Sequence, residues 1–80
     1  MPENMILTLK QWRGLREISQ RELAIKSGIN ERSIVNYESD VKRLRNAQYS
    51  TIKRIADVLE IEVSNIFLDD TSEKPKQEVR

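Results

Sequence analysis

Cysteine and histidine are both absent from this 80-residue chain, and glycine and proline occur only twice each. Without cysteine there is no disulfide framework and no thiolate metal site. The two glycines, Gly14 and Gly28, stand far apart and build no phosphate-cradling loop. The carboxylates show no pattern beyond the adjacent Asp69 and Asp70, where a metal would be held only weakly. An enzyme is therefore not expected, nor is a metal, a cofactor or a small-molecule ligand. No apolar run approaches the eighteen or so residues of a membrane span. Met1-Pro2-Glu3-Asn4 also lacks the basic opening of a secretory signal. The expectation is a soluble, cytoplasmic protein with no membrane partner.

Charge of one sign is nearly absent on average and present locally. The net charge is only +1, yet residues 1–59 carry eleven Lys/Arg against seven Asp/Glu, while residues 60–80 carry three against six. An acidic end on a basic body hides a basic face behind a bland mean. Eighty residues suffice for one small domain with a single modest core.

Apolar spacing predicts five helices and no strands. The first runs from an N-cap at Thr8 to about Glu17, with Leu9, Trp12 and Arg16 on one side; Gly14 inside it costs about 1 kcal/mol against alanine. The second covers Gln20–Ser27 and the third Glu31–Ser39. A polar, basic connection, Asp40–Gln48, precedes a fourth helix over Tyr49–Glu60, where Ile52, Ile55, Ala56 and Leu59 share one face. A short fifth helix is expected over Val63–Leu68. Residues 1–68 thus form the domain. The polar, charged stretch 69–80 is expected to be a disordered tail.

The second and third helices make a unit. Ser19 and Glu22 have the spacing of a capping box, Lys26 suits the last turn, and Gly28 supplies the left-handed backbone that ends the helix. Asn30 is an N-cap for the next helix. Ala24 permits a close helix crossing, and Ile34 fills the angle. This is the pattern of a helix-turn-helix, whose second helix is placed to enter a groove.

On these residues the chain resembles the phage lambda-type repressor and Cro (XRE) family. Leu9, Trp12 and Arg13 stand where that family has a first-helix L-x-x-L-R pattern. TIKRIADVLEIEVSNIF, Thr51–Phe67, is similar to its closing signature. The resemblance covers about residues 5–68 and implies an all-α, compact five-helix lambda-repressor-like domain. It departs at Glu17, Asp40 and Glu60, where the family commonly has glycine, and in a longer connection after the third helix.

Around the third helix, side chains advance about 100° per residue. With Ile34 and Tyr37 inward, Arg32, Val35, Asn36 and Ser39 face outward. Arginine can grip guanine, asparagine can pair with adenine, and valine can meet a thymine methyl. The resemblance implies base contacts from Glu31, Arg32 and Asn36, although an acidic residue in a first turn also serves the helix dipole. The expected base-reading set is Glu31, Arg32, Val35 and Asn36.

The expected phosphate-binding set is Gln20, Asn30, Ser33, Lys42, Arg43 and Arg45, with Arg16, Arg21, Lys26 and Lys53 as weaker candidates. Gln20 enters from the resemblance, Asn30 as a helix-end residue, and the cluster Lys42, Arg43, Arg45 from its place after the third helix. The resemblance also implies a structural ion pair between Arg13 and Glu38. It places a dimer contact near the last helices, at Val63, Ile66, Phe67 and Leu68. Trp12 reads as core rather than a stacking platform. Ile25, with Leu15 or Met5, is a candidate partner-binding patch.

The expected function is a sequence-specific regulator of transcription, a repressor, that binds double-stranded operator DNA as a homodimer. The competing reading is a protein-interaction module, such as an antitoxin or anti-repressor component with the same fold.

Overall fold

Three side-chain caps set where the first helices begin. A computed structural model describes residues 5–68; the expected tail, 69–80, lies outside them. Thr8 accepts from the Gln11 amide at 3.1 Å while Gln11 reaches back to the Thr8 N–H at 2.9 Å, a full capping box that starts α1, Leu9–Arg16. Ser19 accepts from the Glu22 N–H at 2.9 Å and starts α2, Gln20–Ser27. Here the expected box is only half made. Glu22 pairs forward with Lys26 at 3.1 Å, one turn on, instead of returning to the cap. Asn30 accepts from the Arg32 N–H at 2.8 Å and starts α3, Glu31–Ser39.

Gly28 ends α2 with φ +75°, as its position after the last turn requires. Glu17 ends α1 and Glu60 ends the last α-helix in the same left-handed region, with φ 57° and 60°. At these two sites the chain keeps a backbone that suits glycine without having the glycine. Asp40 behaves differently. Its φ is −145°, and its side chain accepts from the Lys42 N–H at 3.0 Å.

That cap corrects the expected connection. Asp40 starts a further helix, α4, Val41–Arg45, which turns Leu44 into the core. The next helix, α5, covers Tyr49–Leu59. The expected fifth helix over Val63–Leu68 shrinks to a single 3-10 turn, Val63–Asn65. Beyond it Ile66 is extended and forms an isolated parallel bridge with Leu7. The Leu7 N–H donates to the Asn65 carbonyl at 3.0 Å, and the Phe67 N–H to the Leu7 carbonyl at 2.8 Å. The fold is all-α, with five α-helices among the described residues.

Packing follows the apolar stripes. α2 lies against α3 and α5, and α1 against the same two helices. Trp12, Leu23, Ile34, Leu44, Ile55 and Leu59 are fully buried. Each such side chain contributes about 1.5–3 kcal/mol by leaving water. Ala24 is 7% exposed at the α2–α3 crossing, as its size predicts. The Trp12 indole N–H donates to the Asn65 carbonyl at 2.7 Å, so the tryptophan is a core residue with its one polar group satisfied.

Candidate nucleic-acid interface

The outer face of α3 carries the expected reading residues together. Glu31, Arg32, Val35 and Asn36 border one shallow surface depression. Arg32 and Glu31 are exposed, Asn36 is half-buried, and Val35 is 41% exposed. Ile34, on the opposite face of the same helix, is wholly buried and so fixes which way the others point. The face offers guanidinium and amide donors, a carboxylate and a carboxamide acceptor, and one aliphatic contact.

Behind this face α3 is held by a charged cluster. Arg13 Nε donates to Glu38 Oε2 at 2.7 Å and Arg13 Nη2 to Oε1 at 3.0 Å. The remaining guanidinium nitrogen donates to the Ile18 carbonyl at 2.9 Å. Gln20 adds a bond from its amide to Glu38 Oε1 at 3.1 Å. The Glu38 side chain is 5% exposed and that of Arg13 16%. The bond to Glu38 holds the Arg13 guanidinium above its ordinary value; burial acts in the other direction, and the opposite charge adds to the rise. The expected ion pair is present, and it binds α1, α2 and α3 into one unit.

The expected phosphate set divides by position. Asn30 uses its side-chain oxygen on the α3 cap, at the N-terminal end of that helix. Gln20 reaches Glu38 in the last turn of α3. Ser33 is half-buried. Lys42, Arg43 and Arg45 are exposed on α4, a short helix rather than a loop, and Arg43 sits 3.8 Å from Asp40.

Three weaker candidates already have partners within the domain. Arg16 stacks 5.8 Å above the Trp12 ring centre and donates to the Leu59 carbonyl at 2.6 Å. It closes the C-terminal end of α5, a role hidden from sequence because its partner is 43 residues away. Lys26 pairs with Glu22, and Lys53 pairs with Asp57 at 2.6 Å. The Asp57 hydrogen bond, with the opposite charge behind it, raises Lys53 above its ordinary value. Arg21 lines a depression with Ala24, Ile25, Ile29 and Glu31. Ile25 is 70% exposed there, and neither Leu15 nor Met5 borders it.

Of the residues expected at a dimer contact, Ile66 is 3% exposed and belongs to the protomer's own core. Val63, Phe67 and Leu68 remain half-buried.

A second depression runs along α3 on its other side, lined by Lys10, Arg13, Gln20, Val35, Glu38 and Ser39. Sequence reasoning missed Lys10. The available signal was its spacing three residues before Arg13, which puts both on one face of α1.

Among the described residues no group of His, Cys, Asp or Glu is arranged to hold a metal ion, and no helix is long and apolar enough to cross a membrane. A family model described as helix-turn-helix matches residues 9–66. No curated protein and no solved structure matches the chain.

Proposed function

The chain belongs to the helix-turn-helix family of the lambda repressor and Cro type, a family of DNA-binding transcription regulators, and from that premise we propose that it is a sequence-specific repressor. It places α3 in the major groove of an operator and blocks polymerase by occupancy. Arg32 and Asn36 read bases, Val35 meets a thymine methyl, and Glu31 accepts from cytosine or serves the helix dipole. Gln20, Asn30, Ser33 and the α4 cations Lys42, Arg43 and Arg45 grip the flanking phosphates.

The observation that carries this reading is the convergence of Glu31, Arg32, Val35 and Asn36 on one exposed face of a helix clamped from behind by Arg13 and Glu38. A reading helix must be rigid as well as exposed, because a bidentate contact with a base edge tolerates little misplacement. One such helix spans few base pairs. Two-fold symmetric binding to half-sites about 34 Å apart supplies the missing specificity. The half-buried apolar residues Val63, Phe67 and Leu68 are the surface assigned to the second copy.

A protein-interaction module is the second reading, and the exposed Ile25 beside Arg21 and Glu31 favours it. Selection of sites from a random duplex pool, at two salt concentrations, separates the two. A pseudo-palindrome with fixed spacing is the result expected of the repressor. Recovery of salt-sensitive background alone rejects it and turns the search to protein partners.

A further inference from the structure

We propose that Lys10, with the Gln20 amide beside it, forms a phosphate-binding site for the DNA backbone along the α1 edge of the reading helix. The inference rests on the DNA-binding reading, in which Gln20 is already an expected phosphate contact, and adds Lys10 as an anchor supplied by α1.

The charge within the depression makes the case. Arg13 and Glu38 both line it, but they neutralise each other through two hydrogen bonds and keep little exposure. Gln20 has committed one amide hydrogen to Glu38 and retains a second donor. Ser39 uses its hydroxyl hydrogen on the Asn36 carbonyl at 3.1 Å. The formal charge of the depression is therefore that of Lys10 alone.

Lys10 is also unlike other exposed lysines of the chain. Lys26 and Lys53 each hold a carboxylate one turn away on their own helix. Lys10 is exposed and has no carboxylate partner among the described residues. Its ammonium is free to exchange a counterion for a phosphate, the step from which most backbone affinity comes.

Position supplies the ligand. Val35 borders this depression and the one made by Glu31, Arg32 and Asn36. A strand whose bases face Glu31, Arg32 and Asn36 therefore has its backbone within reach of the Lys10 depression. The α4 cations follow the C-terminal end of α3, whereas Lys10 comes from α1. Contacts from both places fix the depth and tilt of α3 in the groove, which one group of cations alone leaves free.

The test uses the full chain with Lys10→Gln and Lys10→Arg. Affinity is measured for a selected site and for an unrelated duplex across a range of salt concentrations. For Lys10→Gln the expected result is an equal weakening on both duplexes, and a slope of log affinity against log salt shallower by about 0.9 for each copy bound. Base preference stays unchanged, and Lys10→Arg restores the parental slope. Melting temperatures equal to the parent's establish that both variants fold. A Lys10→Gln slope identical to the parent's overturns the site while leaving the DNA reading intact, as does a loss confined to the selected sequence. A parent that binds neither duplex overturns both.

Discussion

Arg13 on α1 and Glu38 near the end of α3 face each other fork to fork, with bonds of 2.7 and 3.0 Å, and the same carboxylate takes a third bond from Gln20. Neither partner lines the depression formed by Glu31, Arg32, Val35 and Asn36, yet together they hold α3 against α1. Removing one strands the other in a largely dry site. Arg13→Ala is expected to cost about 3 kcal/mol in urea denaturation. Replacing both residues with apolar ones of similar volume should cost less than either single change. Additive losses would mean that the two side chains act separately. Because folding raises the Arg13 value, its contribution is complete at every pH below the unfolded value and disappears only in strong alkali, past the folded one. The arginine's share is thus constant through the neutral range.

Gly14 has open space around it. A Cβ built there meets nothing within 4 Å, and its backbone is helical. Gly14→Ala should raise stability by about 0.5–1 kcal/mol, seen as a higher melting temperature. A lower one would show that the residue's freedom serves something the packing does not reveal.

Glu17 and Glu60 hold positive φ values that cost an L side chain about 1 kcal/mol each. Glu17→Gly and Glu60→Gly are therefore expected to stabilise the domain. The third departure from the family's glycines has the opposite sign. Asp40 is extended and caps α4, so Asp40→Ala should destabilise by about 1 kcal/mol. Melting curves of the three variants should move two up and one down.

The local features were legible because each is a contact between near neighbours. Thr8, Ser19 and Asn30 cap within three residues, and Gly28 acts on its own backbone. The outward face of α3 follows from the helical repeat once Ile34 is inside. α4 was not legible, because five residues make too little of a period to register. The Val63–Leu68 stretch misled for a different reason. Its apolar spacing is satisfied by a 3-10 turn and then an extended residue bridged to Leu7, a partner near the other end of the chain. Lys10 joins Gln20, Val35 and Ser39 only when three helices have packed; its spacing from Arg13 marks a face of α1 but not what that face meets.

On the interface itself, two changes should separate by sequence dependence. Arg32→Ala is expected to lose about 1–3 kcal/mol on the selected operator and to relax preference at one base pair. Changing Lys42, Arg43 and Arg45 together to alanine should weaken every duplex alike and flatten the salt dependence. Competition titrations with single-base variants of the site distinguish the two patterns. If Arg32→Ala held its site as tightly as the parent, the reading face would have to be reassigned.

The pairing of Leu7 with Ile66 and the bond from Trp12 to the Asn65 carbonyl impose an order on synthesis. A ribosome delivers α1 early, with its indole N–H destined for an acceptor that has not yet been made. α2 and α3 can dock once they are clear of the ribosome, but the tryptophan lacks its buried acceptor until the residues of the 3-10 turn arrive. A chain that ends short of Asn65 therefore carries α1, α2 and α3 without the acceptor that lets Trp12 be buried, and leaves its indole N–H to water.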